Sequence, residues 1–144
     1  MTGRKVEFIV PGEPQGKARH RMTKKGHAFT PARTVAYEGW IRDNYIDQAG
    51  RVELQGPLRA TIKASFGIPR SKSKAASFDM LAGEILPTKK PDADNIAKVI
   101  LDSLNGLAYK DDTQIIELLV IKDYRTAPGV QVEIEELKGG QGNE

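Results

Sequence analysis

Between Leu58 and Tyr124 the spacing of apolar residues changes from two, to helical, and back to strand-like, and this change of period constrains the fold more than any other feature. Leu58, Ala60, Ile62, Ala64 and Phe66 alternate strictly and stop at Gly67 and Pro69, which predicts a half-buried strand. Ile96, Val99, Ile100, Ser103, Leu104 and Leu107 then fall at helical spacing, with Gly106 marking the end. Thr113–Tyr124 is again strand-like, rich in Ile, Leu and Val. Upstream, Lys5 to Val10 sets Val6, Phe8 and Val10 on one side and ends at Pro11-Gly12, so it reads as a strand. From Thr30-Pro31 a helix is expected, capped by the threonine, with Val35, Trp40, Ile41, Tyr45 and Ile46 on one broad face and a stop near Gly50. A last strand, Val130–Leu137, follows Pro128-Gly129 and is expected to pair with the strand before it. Residues 70–88 are polar, small and irregular and read as a long loop. The sum is an α+β fold of two layers, a mixed sheet of four or five strands with two main helices. One domain is expected over residues 1–138, with a frayed tail over 139–144.

Composition narrows the chemistry. A length of 144 residues suits one ordinary domain, and 39% hydrophobic with 28% charged residues excludes a wholly disordered chain. The absence of cysteine excludes disulfides, thiolate zinc, iron–sulfur clusters and a cysteine nucleophile, so any metal must be held by oxygen or by the two histidines. No apolar run approaches the roughly 20 residues of a membrane span and no signal region opens the chain, so no membrane partner is expected and the cytoplasm is the default compartment.

Charge is divided unevenly. Residues 1–91 hold 17 basic and 8 acidic side chains, whereas residues 92–144 hold 5 and 11. The densest basic stretch carries Lys17, Arg19, His20, Arg21, Lys24 and Lys25, with no carboxylate between Glu13 and Glu38. It reads as a loop for phosphate contacts, each of which releases condensed counterion, or else as a solvated surface loop. Arg70, Lys72, Lys74, Lys89 and Lys90 form a second basic group.

The acidic half carries the sharper signal: Asp92 and Asp94 before the helix, and Asp111-Asp112 after it. Asp94 is the natural N-cap, and Asp92 and Asp94, two apart in extended chain, point to one side. A following helix antiparallel to the strand near Asp112 would bring Asp92, Asp94 and Asp112 (or Asp111) together at one end of the sheet. Converging carboxylates repel unless a cation joins them, and all-oxygen ligation suits Mg²⁺ or Mn²⁺. Lys98, one turn after Asp94, is aimed at the same pocket, to pair with a carboxylate or with charge developing on a phosphate. Taken singly, each acid has a structural alternative as a helix cap or a turn residue. A calcium loop is excluded because Ala97 and Ser103 stand where glycine and glutamate are required. Asp102 is left out of the ligand set, and His20 and His27 are read as surface or phosphate contacts.

These residues carry a resemblance. Gly16-Lys17-Ala18-Arg19-His20-Arg21, Phe29-Thr30-Pro31-Ala32, Lys90-Pro91-Asp92-Ala93-Asp94-Asn95-Ile96-Ala97-Lys98, Leu101-Asp102-Ser103-Leu104-Asn105-Gly106 and Tyr109-Lys110-Asp111-Asp112-Thr113-Gln114-Ile115 resemble the RusA family of Holliday junction resolvases, over residues 5–136. The resemblance implies Mg²⁺-dependent endonucleolytic cleavage of four-way DNA in recombination and repair, with Mn²⁺ able to substitute, by a small homodimer usually associated with prophages. It assigns metal binding to Asp92, Asp94 and Asp112, with Asp111 an additional candidate, and a catalytic role to Lys98. It matches Lys17, Arg19 and Arg21 to a DNA-contacting segment, in which His20 replaces the proline of many relatives. Lys24, Lys25, Lys89 and Lys90 join that set through their charge. A junction with two-fold symmetry cut at two sites fits a C2 dimer. Its interface is expected on the Val35–Ile46 helix or the Thr113–Tyr124 strand. Two rivals are a non-catalytic basic DNA-binding protein, and a PD-(D/E)xK nuclease suggested by Pro91-Asp92. The latter lacks its E-x-K tripeptide, since Glu117 is followed by Leu118-Leu119.

Overall fold

The computed structural model describes residues 3–18 and 21–137; Arg19, His20 and the expected tail at 139–144 lie outside the described residues. The period-2 segments fold as strands: β1 (Lys5–Pro11) buries Val6, Phe8 and Val10, and β4 (Leu58–Gly67) buries Leu58, Ala60, Ile62, Ala64 and Phe66. Two short strands, β2 (Arg21–Met22) and β3 (Ala28–Phe29), form a separate ribbon. Three helices follow in chain order, α1 (Ala32–Ala49), α2 (Lys74–Leu81) and α3 (Ala93–Ser103), before β5 (Ile115–Arg125) and β6 (Gly129–Glu136).

The mixed sheet has the order β1-β6-β4-β5, with β6 antiparallel to both neighbours and β5 parallel to β4. The expected hairpin between the last two strands is therefore absent. β5 returns to the sheet by a crossover through α3 and joins β4 in parallel, while β6 lies on the other side of β4. Val130, Val132 and Ile134 of β6 complete the inner sheet face, on which Ile96 and Ile100 of α3 and Tyr37, Ile41 and Tyr45 of α1 close one apolar core. The outer face carries charged pairs, with Arg59 bonded to Glu117 at 2.7 Å and to Glu135 at 3.3 Å, beside exposed Ile9, Leu119 and Ile121. No helix among the described residues is long and apolar enough to cross a membrane.

Several expectations shift. α1 starts from Pro31 as N-cap with no side-chain cap, rather than from Thr30, and stops at Gly50, whose φ of 75° suits glycine. Its buried stripe is Thr34, Tyr37, Ile41 and Tyr45, while Val35 and Trp40 are exposed. Trp40 stays at the surface because its indole Nε1 donates to the Pro11 carbonyl at 2.8 Å. The loop expected over 70–88 contains α2, capped by the Ser73 hydroxyl accepting from the Ala76 amide at 3.1 Å. Only Met80 of that helix is buried, so no apolar stripe announces it.

Glu136 ties the start of β1 to the end of β6. Its carboxylate accepts the Arg4 amide at 2.9 Å, the Arg4 guanidinium at 3.0 Å and the Gln55 amide at 2.8 Å. Burial alone would raise its pKa, but the Arg4 guanidinium and these two amides outweigh burial and hold it below the usual glutamate value. The contribution is thus present above the unfolded pKa and lost as pH falls through the folded one. Glu136→Ala, which strands these donors, is expected to cost about 2 kcal/mol at pH 7. Urea denaturation at pH 7 and pH 3 checks this, the two proteins converging at the lower pH.

Candidate active site at the two ends of α3

Asp92, not Asp94, takes the N-cap position of α3, and Asp94 falls within the first turn. Pro91 keeps the preceding backbone extended, so the helix begins as soon as the proline is passed. The Asp92 side chain makes no capping hydrogen bond, and both carboxylates are exposed.

The segment Pro14–Ala18 lies across this end of α3. A Cβ at Gly16 would fall on the Asn95 side-chain amide and 3.0 Å from Pro91, so only glycine lets the strap approach. The Ala18 amide donates to Thr34 Oγ1 of α1 at 3.2 Å and fixes its far side. Between strap and helix opens a cleft of about 450 Å³, lined among others by Lys17, Arg33, Lys90, Asp92 and Asn95. Arg33 is a residue sequence reasoning missed, a lone arginine in the first turn of α1 whose place in the cleft depends on how α1 meets the strap. Lys17 is held by two acids. Its Nζ donates to Asp102 at 2.8 Å and lies 3.7 Å from Glu38, and the Asp102 bond leads the causes that raise its pKa.

At the opposite end of α3 the acids divide by role. Asp111 caps a 3-10 turn (Asp112–Gln114): its carboxylate accepts the Thr113 amide at 3.3 Å, while the Gln114 side chain accepts the Asp111 amide at 3.1 Å, a reciprocal capping box. The Thr113 amide accordingly holds the Asp111 carboxyl below the usual range. Asp112 is different. Its backbone amide donates to Asn105 Oδ1 at 2.9 Å, and its partly buried carboxyl is pushed up by burial, by the Asp111 carboxyl and by the Asp102 charge. Buried Tyr109, whose hydroxyl donates to the Leu101 carbonyl at 2.6 Å, is pushed upward by burial and by the same three aspartates.

The expected meeting of Asp92, Asp94 and Asp112 at one end of the sheet does not occur within a single chain. α3 runs antiparallel to β5. Its start lies by the far end of β5, where Lys122 Nζ donates to the Lys89 carbonyl at 2.6 Å, whereas Asp112 leads directly into the beginning of that strand. The two ends of α3 are separated by roughly 15 Å of helix rise. Lys98 stands exposed between them, at i+4 from Asp94 and i−4 from Asp102. Among the described residues no three acidic or histidine side chains are grouped to hold one ion.

A family model described as endodeoxyribonuclease RusA matches residues 11–135. The chain belongs to the RusA endodeoxyribonuclease family. It is also 33% identical over 137 residues to the protein named "Uncharacterized protein YqaN" of Bacillus subtilis (strain 168), an alignment covering 92% of this chain and 96% of that one. Family membership makes this RusA-family chain an endodeoxyribonuclease. Lys24 and Lys25 are exposed in the turn between β2 and β3, Arg21 lies in β2, and Lys90 lines the cleft beside Asp92. Lys89 instead stands over the rings of Phe66 and Tyr124, at 5.2 and 5.8 Å from their centroids.

Proposed function

We propose that this RusA-family endonuclease resolves four-way DNA junctions by paired symmetric phosphodiester cleavage, acting as a homodimer with a divalent metal at each of two sites. The observation that carries the reading is the separation of Asp92 and Asp94 from Asp112 along α3, with no capping bond from the Asp92 side chain. A two-fold axis that sets the Asp112 end of one protomer against the Asp94 end of the other assembles all three carboxylates twice. The same operation supplies the two cuts that a symmetric junction requires.

The donors fit such an ion, because they are all oxygen. Asp92, Asp94 and Asp112 would hold Mg²⁺ or Mn²⁺, which supplies Lewis-acid polarisation of the phosphate and an activated water. The chain's own residues do the rest. Asn105 fixes the Asp112 backbone, Asp111 is spent on the turn, and Arg33 and Lys90 offer charge to the phosphates entering the cleft. Lys98 presents its ammonium to the oxygen on which charge develops.

Incubation with a synthetic four-way junction and a matched linear duplex, each with Mg²⁺, Mn²⁺ or EDTA, tests this on a denaturing gel. Paired nicks on the junction alone, lost with EDTA, are expected. Salt-dependent binding without product under either metal would return the acids to structural roles and the protein to the class of non-catalytic binders.

A further inference from the structure

Asp92 enters α3 from a lead, residues 86–91, that the fold holds at few points. Pro87 is buried and Pro91 half-buried, but neither has an amide to bond, and Thr88, Lys89 and Lys90 between them are exposed. Among the described residues one hydrogen bond reaches this lead from elsewhere in the fold: Lys122 Nζ of β5 donates to the Lys89 carbonyl at 2.6 Å. Lys122 is an unusual residue for its place. It is half-buried on the helix side of β5, two positions before buried Tyr124 and beside Ala64 of β4 in the parallel register, where an apolar side chain would pack. Its ammonium lies 5.5 Å from the Phe66 ring centroid, and that of Lys89 lies 5.2 Å from the same centroid. Neither lysine has an acidic partner among the described residues. The charge of Lys122 is therefore spent on the ring and on one backbone carbonyl.

We propose that Lys122 is a positioning residue of the nuclease centre: from the sheet it fixes the Lys89 carbonyl, and through Lys90 and Pro91 it sets where the Asp92 carboxylate stands. The inference rests on the reading of Asp92 as a metal ligand. Lys89 lies three residues before Asp92, and Pro91 restricts Lys90 to extended backbone, so a displacement at the Lys89 carbonyl passes to Asp92 with little slack. The Asp92 carbonyl joins the helix by accepting the Ile96 amide at 3.0 Å, but its side chain makes no capping bond and follows the direction of the incoming lead. Asp94 differs. It stands inside the first turn of a helix packed through buried Ile96, Val99 and Ile100, so the helix sets its place without help from β5. Of the two acids at this end of α3, Asp92 is the one whose position depends on the Lys122 bond. A group that orients a ligand from behind in this way acts on metal affinity and not on contact with DNA.

Lys122→Met keeps an apolar stem over Phe66 and removes the donor, whereas Lys122→Arg keeps a charged donor. Trypsin reads the lead without metal or DNA, because it cuts after exposed Lys89, and cutting in the exposed Lys24-Lys25 turn serves as the internal control. Lys122→Met is expected to speed cleavage after Lys89 about tenfold relative to that control, the scale of one lost bond from a charged donor, with an unchanged circular dichroism spectrum. Mn²⁺ binding, followed by the electron paramagnetic resonance of the free ion, is expected to weaken roughly tenfold. Lys122→Arg is expected to recover most of both. Junction affinity in EDTA, and its dependence on salt, should stay parental in both variants. A Lys122→Met protein with parental proteolysis and parental Mn²⁺ affinity overturns the proposal. One that instead loses junction affinity, with a salt slope reduced by about one, makes Lys122 a phosphate contact and overturns it too. A wild-type protein that binds no Mn²⁺ sinks the metal reading and the positioning of a ligand with it. A wild type that binds Mn²⁺, beside a Lys122→Met protein whose lead is loosened but whose Mn²⁺ affinity holds, sinks the positioning alone.

Discussion

A mixture of Asp112→Asn and Asp94→Asn proteins is expected to nick a four-way junction that neither variant cuts alone. Each substitution keeps the side chain's shape and removes the charge that a metal needs, so each homodimer should lose cleavage by roughly three orders of magnitude. Junction affinity should hold or rise, because one negative charge near phosphate is gone. In the heterodimers, about half of a fully exchanged mixture by random pairing, one site collects both substitutions while the other has neither. That intact site cuts one strand, so the product is a nick and not a resolved junction. The prediction follows from the roughly 15 Å that α3 places between its two acidic ends. Were all three carboxylates drawn together within one protomer, every heterodimer would carry one defect in each site and the mixture would stay silent. Denaturing and native gels run on the same reaction separate nicking from resolution, and co-purification of differently tagged copies verifies exchange. An inactive mixture that has exchanged assigns the ligand set to one chain.

What the sequence made legible follows from the range over which each feature is encoded. β1, β4 and α3 are readable because their apolar period is local and strict; the buried set of β1 agrees with that period residue for residue, and that of β4 adds only Ser65. α2 is hidden because a helix burying only Met80 needs no stripe, although Ser73 before Lys74-Ala75-Ala76 is an N-terminal signature. The neighbour of β5 is not encoded in β5. It depends on the crossover through α3 that brings β5 beside β4, a property of the assembled sheet. The turn role of Asp111 was within reach, since an aspartate three residues before Gln114 is the capping-box pattern. The distance between Asp94 and Asp112 was not, because treating Asp92 and Asp94 as extended chain overlooks that Asp94 already lies in the first turn of a helix whose far end is the one beside Asp112. Arg33 and Asn105 are single polar residues whose significance exists only once the strap and the turn have packed.

Lys98→Ala is expected to reduce junction cleavage by roughly two to three orders of magnitude, the scale on which one group stabilising transition-state charge acts. The fold should not register the change. Lys98 is exposed, no ion pair or hydrogen bond of its ammonium occurs among the described residues, and alanine serves the middle of a helix at least as well as lysine. Asp102, the nearer acid toward the end of α3, already takes its cation from Lys17 at 2.8 Å, which leaves Lys98 unspent between two acidic ends. Its charge therefore points to a function outside the folded chain's own bonding. Binding should weaken modestly, with the slope of log affinity against log salt reduced by about one, as for the loss of one phosphate contact. Lys98→Arg preserves charge but not its compact form, so it should restore the salt slope while recovering little of the rate. Thermal unfolding, salt-dependent binding and single-turnover cleavage, measured on all three proteins, separate these effects. A Lys98→Ala protein that melts lower and cuts at the parental rate would make the lysine a stabilising surface charge, and would leave the carboxylates to carry the chemistry with the metal alone.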